Sequence, residues 1–308
     1  KIFSNPLVLI LGKELIQTEI IKVLNTQKNL TDIYFTVSND QYQEIWFNGL
    51  ENQKFISHMI FYSNNYSSFP RIERIEDIDE NNIIRVPHLK FIKANKFWVW
   101  TEGFSDMLQR EGINKDKINV VGPILMYLES RVKRVDDGIY NIIIFDSFPF
   151  ISTGNFGELN TYNNFYNMKK FIDDTITIIK EIELRLEIKI KIYLKTKKTL
   201  DINDKSIKNR DFRYLNYLNS ITDQINIINK NVNLFNLIRS SNLTITFPFL
   251  SPAYIGAYLG RKTIFYDPVS KLKEVFEKNN QIEFISDKDI LKNNIFNHFN
   301  KLNETKKK

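Results

Sequence analysis

Short runs of apolar residues alternate with segments of helical spacing along most of the chain. Continuous apolar runs of this kind are typical of parallel strands whose two faces are both covered. In the first part of the chain, the pattern predicts strands at residues 7–11, 33–37, 57–62, 96–101 and 118–121 and helices at residues 14–24 and 104–110. This order of elements favours an α/β fold.

The same alternation of apolar runs and helical segments continues after a polar, charged stretch at residues 129–138, which we interpret as a linker. The later strands are predicted at residues 141–145, 189–194, 225–228, 243–249, 262–266 and 282–285, and the helices at residues 168–186, 212–221, 234–240 and 289–299. We therefore predict two Rossmann-like, doubly wound domains, residues 1–128 and 139–308, that face a cleft. Residues 155–167, rich in Asn and Tyr, form either a mobile cover of this cleft or a surface loop.

The segment from residue 243 to residue 266 reads as a strand, a short helix and a further strand. Ser251 is predicted as the N-cap of the helix, and Pro252 as its first helical residue. The helix start then lies at the carboxyl end of a parallel strand, where free N–H groups and the positive end of the dipole suit a phosphate. The alternative is a well-capped corner with no ligand.

Composition and charge narrow the function classes. The chain has 308 residues, 43% of them hydrophobic, and no cysteine, which excludes disulfides and thiol chemistry. Neither a membrane-spanning run nor a secretory signal is recognisable, so we expect a cytoplasmic protein, with peripheral contact to an anionic membrane as a further option. The net charge of +7 fits nucleic acid, an anionic membrane or a phosphorylated substrate. No nucleic-acid-binding motif is found, and we expect no nucleic-acid partner.

Three groups of residues in the second domain are candidate ligand-binding elements, because each follows a predicted strand at the same sheet edge. They are Asp146 with Ser147, the basic run of Lys195, Lys197 and Lys198, and Ser251. Of these residues, Ser147, Ser251 and the lysines are the candidate phosphate ligands. Ammonium groups would neutralise a phosphate while N–H groups orient it. A solvated surface loop is the alternative interpretation of the lysine run.

The strand ends of the first domain carry polar groups with few cations. Tyr62, Ser63 and Asn64 are candidates for contacts with a sugar hydroxyl. Glu102 and Asp106, four residues apart on a predicted helix, are candidates for acid–base catalysis, as is Asp146 from the second domain. Glu102 could instead stabilise the helix dipole.

Several stretches resemble a family of bacterial polysaccharide biosynthesis proteins named after a Pro-Phe-Thr-Ser signature, the PFTS-motif proteins. The signature Pro-Phe-Thr-Ser-Pro-Ala corresponds to Pro248 through Ala253, with Leu250 in place of Thr. Further similar stretches are residues 61–65, 97–101, 120–123, 144–149, 193–198 and 254–260. The arrangement resembles a GT-B glycosyltransferase, which implies transfer of a sugar from a nucleotide-sugar donor to a growing surface glycan such as capsule or lipopolysaccharide.

A more distant resemblance is to GT-B sialyl- and Kdo-transferases, which bind CMP-sugars through a His-Pro dipeptide. Here Lys195, Thr196 and Lys197 take that position, so CMP-, UDP- and GDP-sugars all remain open. The resemblance implies no cofactor and no bound metal, because GT-B enzymes generally stabilise the phosphate with basic groups and helix dipoles. The nearest acidic triplet, Asp77-Ile-Asp79, lies in a charged stretch that we interpret as a solvated loop. A nucleotide-sugar epimerase and an inactive binding subunit of the same fold are the alternative functions.

Overall fold

Two parallel β-sheets organise the described part of the chain. The computed structural model describes residues 6–27, 30–36, 55–64, 92–124, 138–149, 162–196, 212–228, 232–272 and 281–307. The chain divides into two compact units, one of residues 1–68 and 78–125, the other of residues 69–77 and 126–308. The linker predicted at residues 129–138 lies, except for Gly138, outside the described residues, and the domain boundaries remain predictions.

The first unit contains a four-stranded sheet whose strands lie side by side in chain order and are all parallel. The strands are β1 (Asp32–Phe35), β2 (Ile56–Ile60), β3 (Lys96–Val99) and β4 (Ile118–Val120). The described helices of this unit are α1 (Pro6–Gln27) and α2 (Glu102–Arg110), with a 3₁₀ turn at Lys115–Lys117. These strands are confirmed, each ending one or two residues before its predicted end.

The strand predicted at residues 7–11 is wrong, because this run is the first part of helix α1. A short apolar run does not by its pattern distinguish a buried strand from a helix. Pro6 suits the first helical position, where its missing N–H costs nothing. The run is continuous with the helix predicted at residues 14–24 through Gly12 and Lys13, which are also helical.

Helix α1 carries apolar side chains around its whole circumference. Leu9, Leu15 and Ile16 are 61%, 60% and 63% exposed, whereas Ile21 packs against the buried Phe55. None of the described helices is long and apolar enough to cross a membrane.

The second unit contains a six-stranded parallel sheet in the order β10-β9-β8-β5-β6-β7. Its strands are β5 (Tyr140–Phe145), β6 (Ile190–Lys195), β7 (Asn226–Ile228), β8 (Leu243–Thr246), β9 (Lys262–Tyr266) and β10 (Ile282–Ile285). Counted from β5, this is the strand order 6-5-4-1-2-3 of a Rossmann fold. The predicted α/β class is confirmed.

Helices lie on both faces of this sheet, as right-handed crossovers require. They are α3 (Phe165–Leu186), α4 (Phe212–Ser220), α5 (Leu234–Ser240), α6 (Ser251–Tyr258) and α7 (Lys288–Lys307). Helix α3 contacts α4 and α7, whereas α5 contacts α6. The helices predicted in this part of the chain are confirmed, and the last one continues to Lys307 instead of ending at residue 299.

A buried carboxylate fastens two helices to the sheet. Asp174 on α3 accepts hydrogen bonds from Lys170 Nζ at 2.6 Å and Tyr266 OH at 2.9 Å, and Lys288 Nζ of α7 lies 2.8 Å away. Burial would raise the pKa of Asp174, but the hydrogen bonds outweigh it and the pKa is lowered. The ionised carboxylate therefore links α3, α7 and β9.

We predict that Gly256→Ala destabilises the second unit by about 1–3 kcal/mol, the usual range for overpacking. A Cβ at Gly256 on α6 would lie 2.4 Å from Thr263 Oγ1 on β9, so either the buried Thr263 side chain would have to leave its rotamer or the backbone would have to shift. The free energy of unfolding, measured by urea denaturation, tests this. Gly12→Ala is the matched control, since a Cβ there meets nothing within 4 Å and should be neutral or stabilising. Equal effects of both variants would contradict the prediction.

Candidate functional site

The strand order of the second unit places a crevice at the carboxyl edge of its sheet. Chain order reverses between the adjacent strands β5 and β8, whose following loops therefore diverge from each other. Ligands of open α/β sheets bind at such switch points. Asp146 and Ser147 follow β5, Thr246 ends β8, and Lys195 ends the neighbouring β6.

Asp146 is a buried carboxylate held in place by a tyrosine. Tyr214 OH on α4 donates a hydrogen bond of 2.7 Å to Asp146 Oδ2. Burial, together with the negative charge of Asp146, raises the pKa of Tyr214 well above its usual value. Phe148 packs edge-on against the Tyr214 ring at 5.2 Å. Asp146 therefore behaves as a fixed anion with little freedom to move.

Lys195 lies beside this anion. In the register of β5 and β6, Lys195 lies opposite Phe145, the residue that directly precedes Asp146. Burial lowers the pKa of Lys195, and the negative charge of Asp146 partly offsets that effect. The structure thus brings two of the predicted site residues together. Lys197 and Lys198 lie outside the described residues.

Two buried side-chain oxygens occupy the ends of the loops at the switch point. Asn163, just before α3, donates its amide N–H to Ser147 Oγ at 2.7 Å. Asn163 Oδ1 and Thr246 Oγ1 are both buried and have no hydrogen-bond partner among the described residues. An unsatisfied buried polar group costs about 1–3 kcal/mol, so each of these two oxygens calls for a partner such as an ordered water or a ligand. Both oxygens can accept hydrogen bonds from a ligand hydroxyl or N–H.

The turn between β8 and α6 differs from its prediction. The strand predicted to reach residue 249 ends at Thr246, and the N-cap of α6 is Leu250 rather than Ser251, which is the first helical residue. Phe249 has a φ of 61°, in the left-handed region that side chains disfavour. Its buried ring packs against Phe265 and Phe284 at 5.3 and 5.8 Å, which holds the turn.

A second buried carboxylate organises the edge beyond β9. Asp267 accepts hydrogen bonds from Tyr162 OH at 2.7 Å and from the backbone N–H of Leu272 at 2.8 Å. It also accepts from the N–H groups of Val269 and Lys271. Asp267 therefore ties the residues before α3 to the loop after β9.

The first unit gathers its predicted site residues at the carboxyl ends of β2 and β3. Thr101 caps α2 by accepting from Phe104 N–H, and its hydroxyl lies 3.4 Å from Asn64 Oδ1. Ser63 and Asn64 are buried and Tyr62 is half-buried. Glu102 is exposed at the first helical position, and Asp106 is half-buried one turn further on.

His58 of this unit is part of a hydrogen-bonded chain across the sheet. Trp98 Nε1 donates to His58 Nδ1 at 3.1 Å, so the proton of the neutral ring lies on Nε2, 2.7 Å from Asp32 Oδ1. Asp32 is the first residue of β1, at the amino end of the sheet. His58 therefore has a structural place, away from the predicted site.

The sequence matches the family described as polysaccharide biosynthesis PFTS motif protein over residues 1–295. The chain belongs to this family. The resemblance found in the sequence is thereby confirmed, and the protein is a polysaccharide biosynthesis protein. Among curated proteins, none matches this chain.

Solved structures of sugar-nucleotide proteins resemble this PFTS-family protein at low identity. The UDP-GlcNAc 2-epimerase of Methanocaldococcus jannaschii has 16% identity and a TM-score of 0.44, over 92% of this chain and 73% of that one. The pneumococcal O-GlcNAc transferase GtfA has 12% identity and a TM-score of 0.48, over 94% of this chain and 54% of that one. The chain thus spans about half the length of GtfA. Anabaena HepE has 11% identity and a TM-score of 0.47, over 90% and 71%.

The PFTS signature occupies the turn and helix start at the switch point. Leu250, which replaces the signature Thr, is the N-cap of α6. A Thr hydroxyl at an N-cap accepts a hydrogen bond from an amide of the first turn, and Leu has no atom that can do so. In this chain the first-turn amides of α6 therefore receive no capping bond from that side chain.

Four residues of the candidate site, Tyr214, Asn163, Thr246 and Asp267, were not predicted from the sequence. Three of them, Tyr214, Asn163 and Asp267, form hydrogen bonds with residues between 16 and 105 positions away in sequence. The fourth, Thr246, has a buried hydroxyl without a hydrogen-bond partner among the described residues. Only Asp267 left a signal, because Asp followed by Pro after a strand favours a turn in which the carboxylate accepts nearby backbone N–H groups.

We predict that Tyr214→Phe destabilises the second unit by about 1.5–3 kcal/mol, the range for a hydrogen bond to a charged group. The ring would remain, but the buried Asp146 carboxylate would lose its donor. Urea denaturation gives the free energy of unfolding. Tyr258→Phe is the matched control, since Tyr258 is 56% exposed and its change should stay within about 0.5 kcal/mol. A Tyr214→Phe variant as stable as this control would refute the role given to the hydroxyl.

Proposed function

We propose that this PFTS-family protein is a GT-B glycosyltransferase that moves a sugar from a nucleotide-sugar donor to a growing surface glycan. The observation that carries the proposal is the convergence of Ser147, Lys195 and the start of α6 around the switch point of the six-stranded sheet. Membership of a polysaccharide biosynthesis family supports the same reaction class.

The donor phosphates belong, in this proposal, between Lys195, Ser147 and Ser251. The ammonium group supplies charge, the hydroxyl of Ser147 is already oriented by Asn163, and the dipole of α6 points its positive end there. Lys197 and Lys198 are proposed to add further charge. The distribution of charge agrees, since residues 1–125 hold fewer basic than acidic residues and the whole positive excess lies beyond them.

Asp146 is proposed to act through Lys195. A carboxylate fixed by Tyr214 keeps the neighbouring ammonium charged and in place for the phosphate. The buried oxygens of Asn163 and Thr246 would accept hydrogen bonds from hydroxyls of the ribose or the transferred sugar. Such contacts discriminate strongly, because a ligand without the matching hydroxyl leaves buried groups unpaired.

Acceptor binding and proton transfer are assigned to the first unit. In the reaction the bond between the anomeric carbon and the phosphate oxygen breaks, and its electron pair leaves with the nucleotide. The acceptor oxygen bonds to the anomeric carbon, and its proton passes to a carboxylate, for which we propose Glu102 or Asp106. Tyr62, Ser63 and Asn64 would hold sugar hydroxyls beside it.

Incubation of the purified protein with CMP-, UDP- and GDP-sugars tests this function. We expect one nucleotide to raise the melting temperature, since a ligand at a hundred times its Kd stabilises by about 2.7 kcal/mol. We also expect transfer of its sugar to a surface oligosaccharide, with full activity in excess EDTA. An epimerised sugar without transfer would show an epimerase, and binding without turnover would show an inactive binding subunit.

We predict that Lys195→Ala weakens nucleotide binding by about 10- to 100-fold, the equivalent of a lost charge-assisted contact of about 1.5–3 kcal/mol. Isothermal titration calorimetry with the nucleotide found above measures the change. Lys191→Ala is the matched control: Lys191 lies on the same strand and face but is exposed, four residues closer to the amino end. The assignment of Lys195 is refuted if the two variants bind equally well.

We predict that Glu102→Gln lowers kcat at least 100-fold and leaves nucleotide affinity unchanged, since general base catalysis typically contributes that much. Asp116→Asn serves as control, because Asp116 is an exposed carboxylate of the same unit that precedes β4. A Glu102→Gln variant with normal kcat would move the role to Asp106. Normal kcat in Asp106→Asn as well would exclude both carboxylates.

A further inference from the structure

An exposed aromatic cluster lies at the starts of two helices of the second unit. Phe165 and Tyr166 open α3, and Phe212 and Arg213 open α4. We call these four residues the aromatic platform. The Arg213 guanidinium lies 5.0 Å from the Phe165 ring centre and 5.3 Å from that of Tyr166, and its Nη1 donates to Tyr166 OH at 3.3 Å. Tyr166 is 66% exposed and Phe212 42%.

Phe165 of the platform is held in place by further contacts between α3 and α4. Phe165 meets the Tyr217 ring edge-on at 6.4 Å. Tyr217 OH donates to Asp173 Oδ1 at 2.7 Å, and Lys169 lies over the Tyr217 ring at 5.1 Å. Side chains held in this way lose little conformational freedom when a ligand binds to them.

Short connections join the platform to the candidate site. Asn163, which donates to Ser147, precedes Tyr166 by less than one helical turn. Tyr214, which donates to Asp146, directly follows Arg213. Because α3 and α4 both follow strands at the carboxyl edge of the sheet, the platform flanks the proposed donor site on its β6 side.

The chemistry of the platform suits a sugar ring. The face of an aromatic ring is electronegative and attracts the positively polarised C–H groups on the flat side of a pyranose. The guanidinium and the phenol beside that face can hydrogen-bond to ring hydroxyls. An open surface touches one side of its ligand only, which fits a polymer that passes over it better than a base enclosed in a pocket.

We propose that the aromatic platform binds sugar residues of the acceptor glycan behind its growing end. This rests on the proposed function only in naming the glycan as the acceptor. The platform would hold a long chain near the site between successive transfers. It therefore increases the affinity for long acceptors and does not change the affinity for the nucleotide.

An array of immobilised bacterial surface oligosaccharides of increasing length tests the platform without any nucleotide. We expect the wild-type protein to bind at least one long oligosaccharide, and Tyr166→Ala to bind it about tenfold more weakly. Arg213→Ala should weaken binding as well, and Tyr166→Phe, which keeps the ring, should retain most of it. Leu184→Ala is the matched control, since Leu184 lies near the other end of α3 and is 81% exposed.

The proposal is overturned if the wild-type protein binds no oligosaccharide, or if Tyr166→Ala binds as well as Leu184→Ala. Nucleotide-induced thermal shifts, measured on the same variants, separate it from the proposed function. They should be equal in all variants. A shift lost in Tyr166→Ala, with glycan binding intact, would assign the platform to the nucleobase instead. A wild-type protein that binds glycan but no nucleotide would refute the donor site and leave the platform standing.

Discussion

The parallel pairing of β5 with β8 is the constraint on which the rest of the second unit depends. The two strands are a hundred residues apart in sequence, yet their register sets Phe145 opposite Thr246. Each strand therefore delivers its following loop to the same edge of the sheet. Backbone hydrogen bonds between two buried strands allow no gradual slip, because a shift by one residue would turn every side chain to the other face. The position of each polar group at the edge follows from this one register.

Buried carboxylates hold this edge to the layers around it. Asp146 joins β5 to α4, Asp174 joins α3 to β9 and α7, and Asp267 joins the loop after β9 to the residues before α3. A buried charge is costly unless it is paired or hydrogen-bonded, and each of these is satisfied by donors from elements distant in sequence. The same bonds that offset the cost of burial fix the geometry of the edge, so that its side chains need little rearrangement to meet a ligand.

Most of the strands could be predicted from the sequence, because strands buried on both faces are short and continuously apolar. The strands at residues 262–266 and 282–285 agree with their predictions residue for residue. The prediction fails where one pattern serves two structures: the run at residues 7–11 is as apolar as a strand but belongs to α1. It fails again at Phe249, since nothing local shows that packing against Phe265 and Phe284 holds a left-handed residue there.

The residues of the candidate site also fall into those that the sequence predicts and those that it does not. The placement of Lys195, Ser147 and Ser251 at one edge could be predicted, because the carboxyl ends of parallel strands share an edge of the sheet. Tyr214, Asn163 and Thr246 could not, because their positions depend on how helices dock on the sheet, which periodicity does not encode.

Most residues of the candidate site lie on the loops and helix starts at the edge of the sheet and not on the buried strands. This has a consequence for how such a protein can diversify. The strands form the buried centre of the sheet, whereas Ser147, Asn163, Ser251 and the residues of the aromatic platform stand on loops and helix starts at its edge. Loops and helix starts tolerate substitution better than buried strands do, so one unchanged sheet can present many different sets of polar and aromatic groups. What this edge binds can in this way change without the evolution of a new fold.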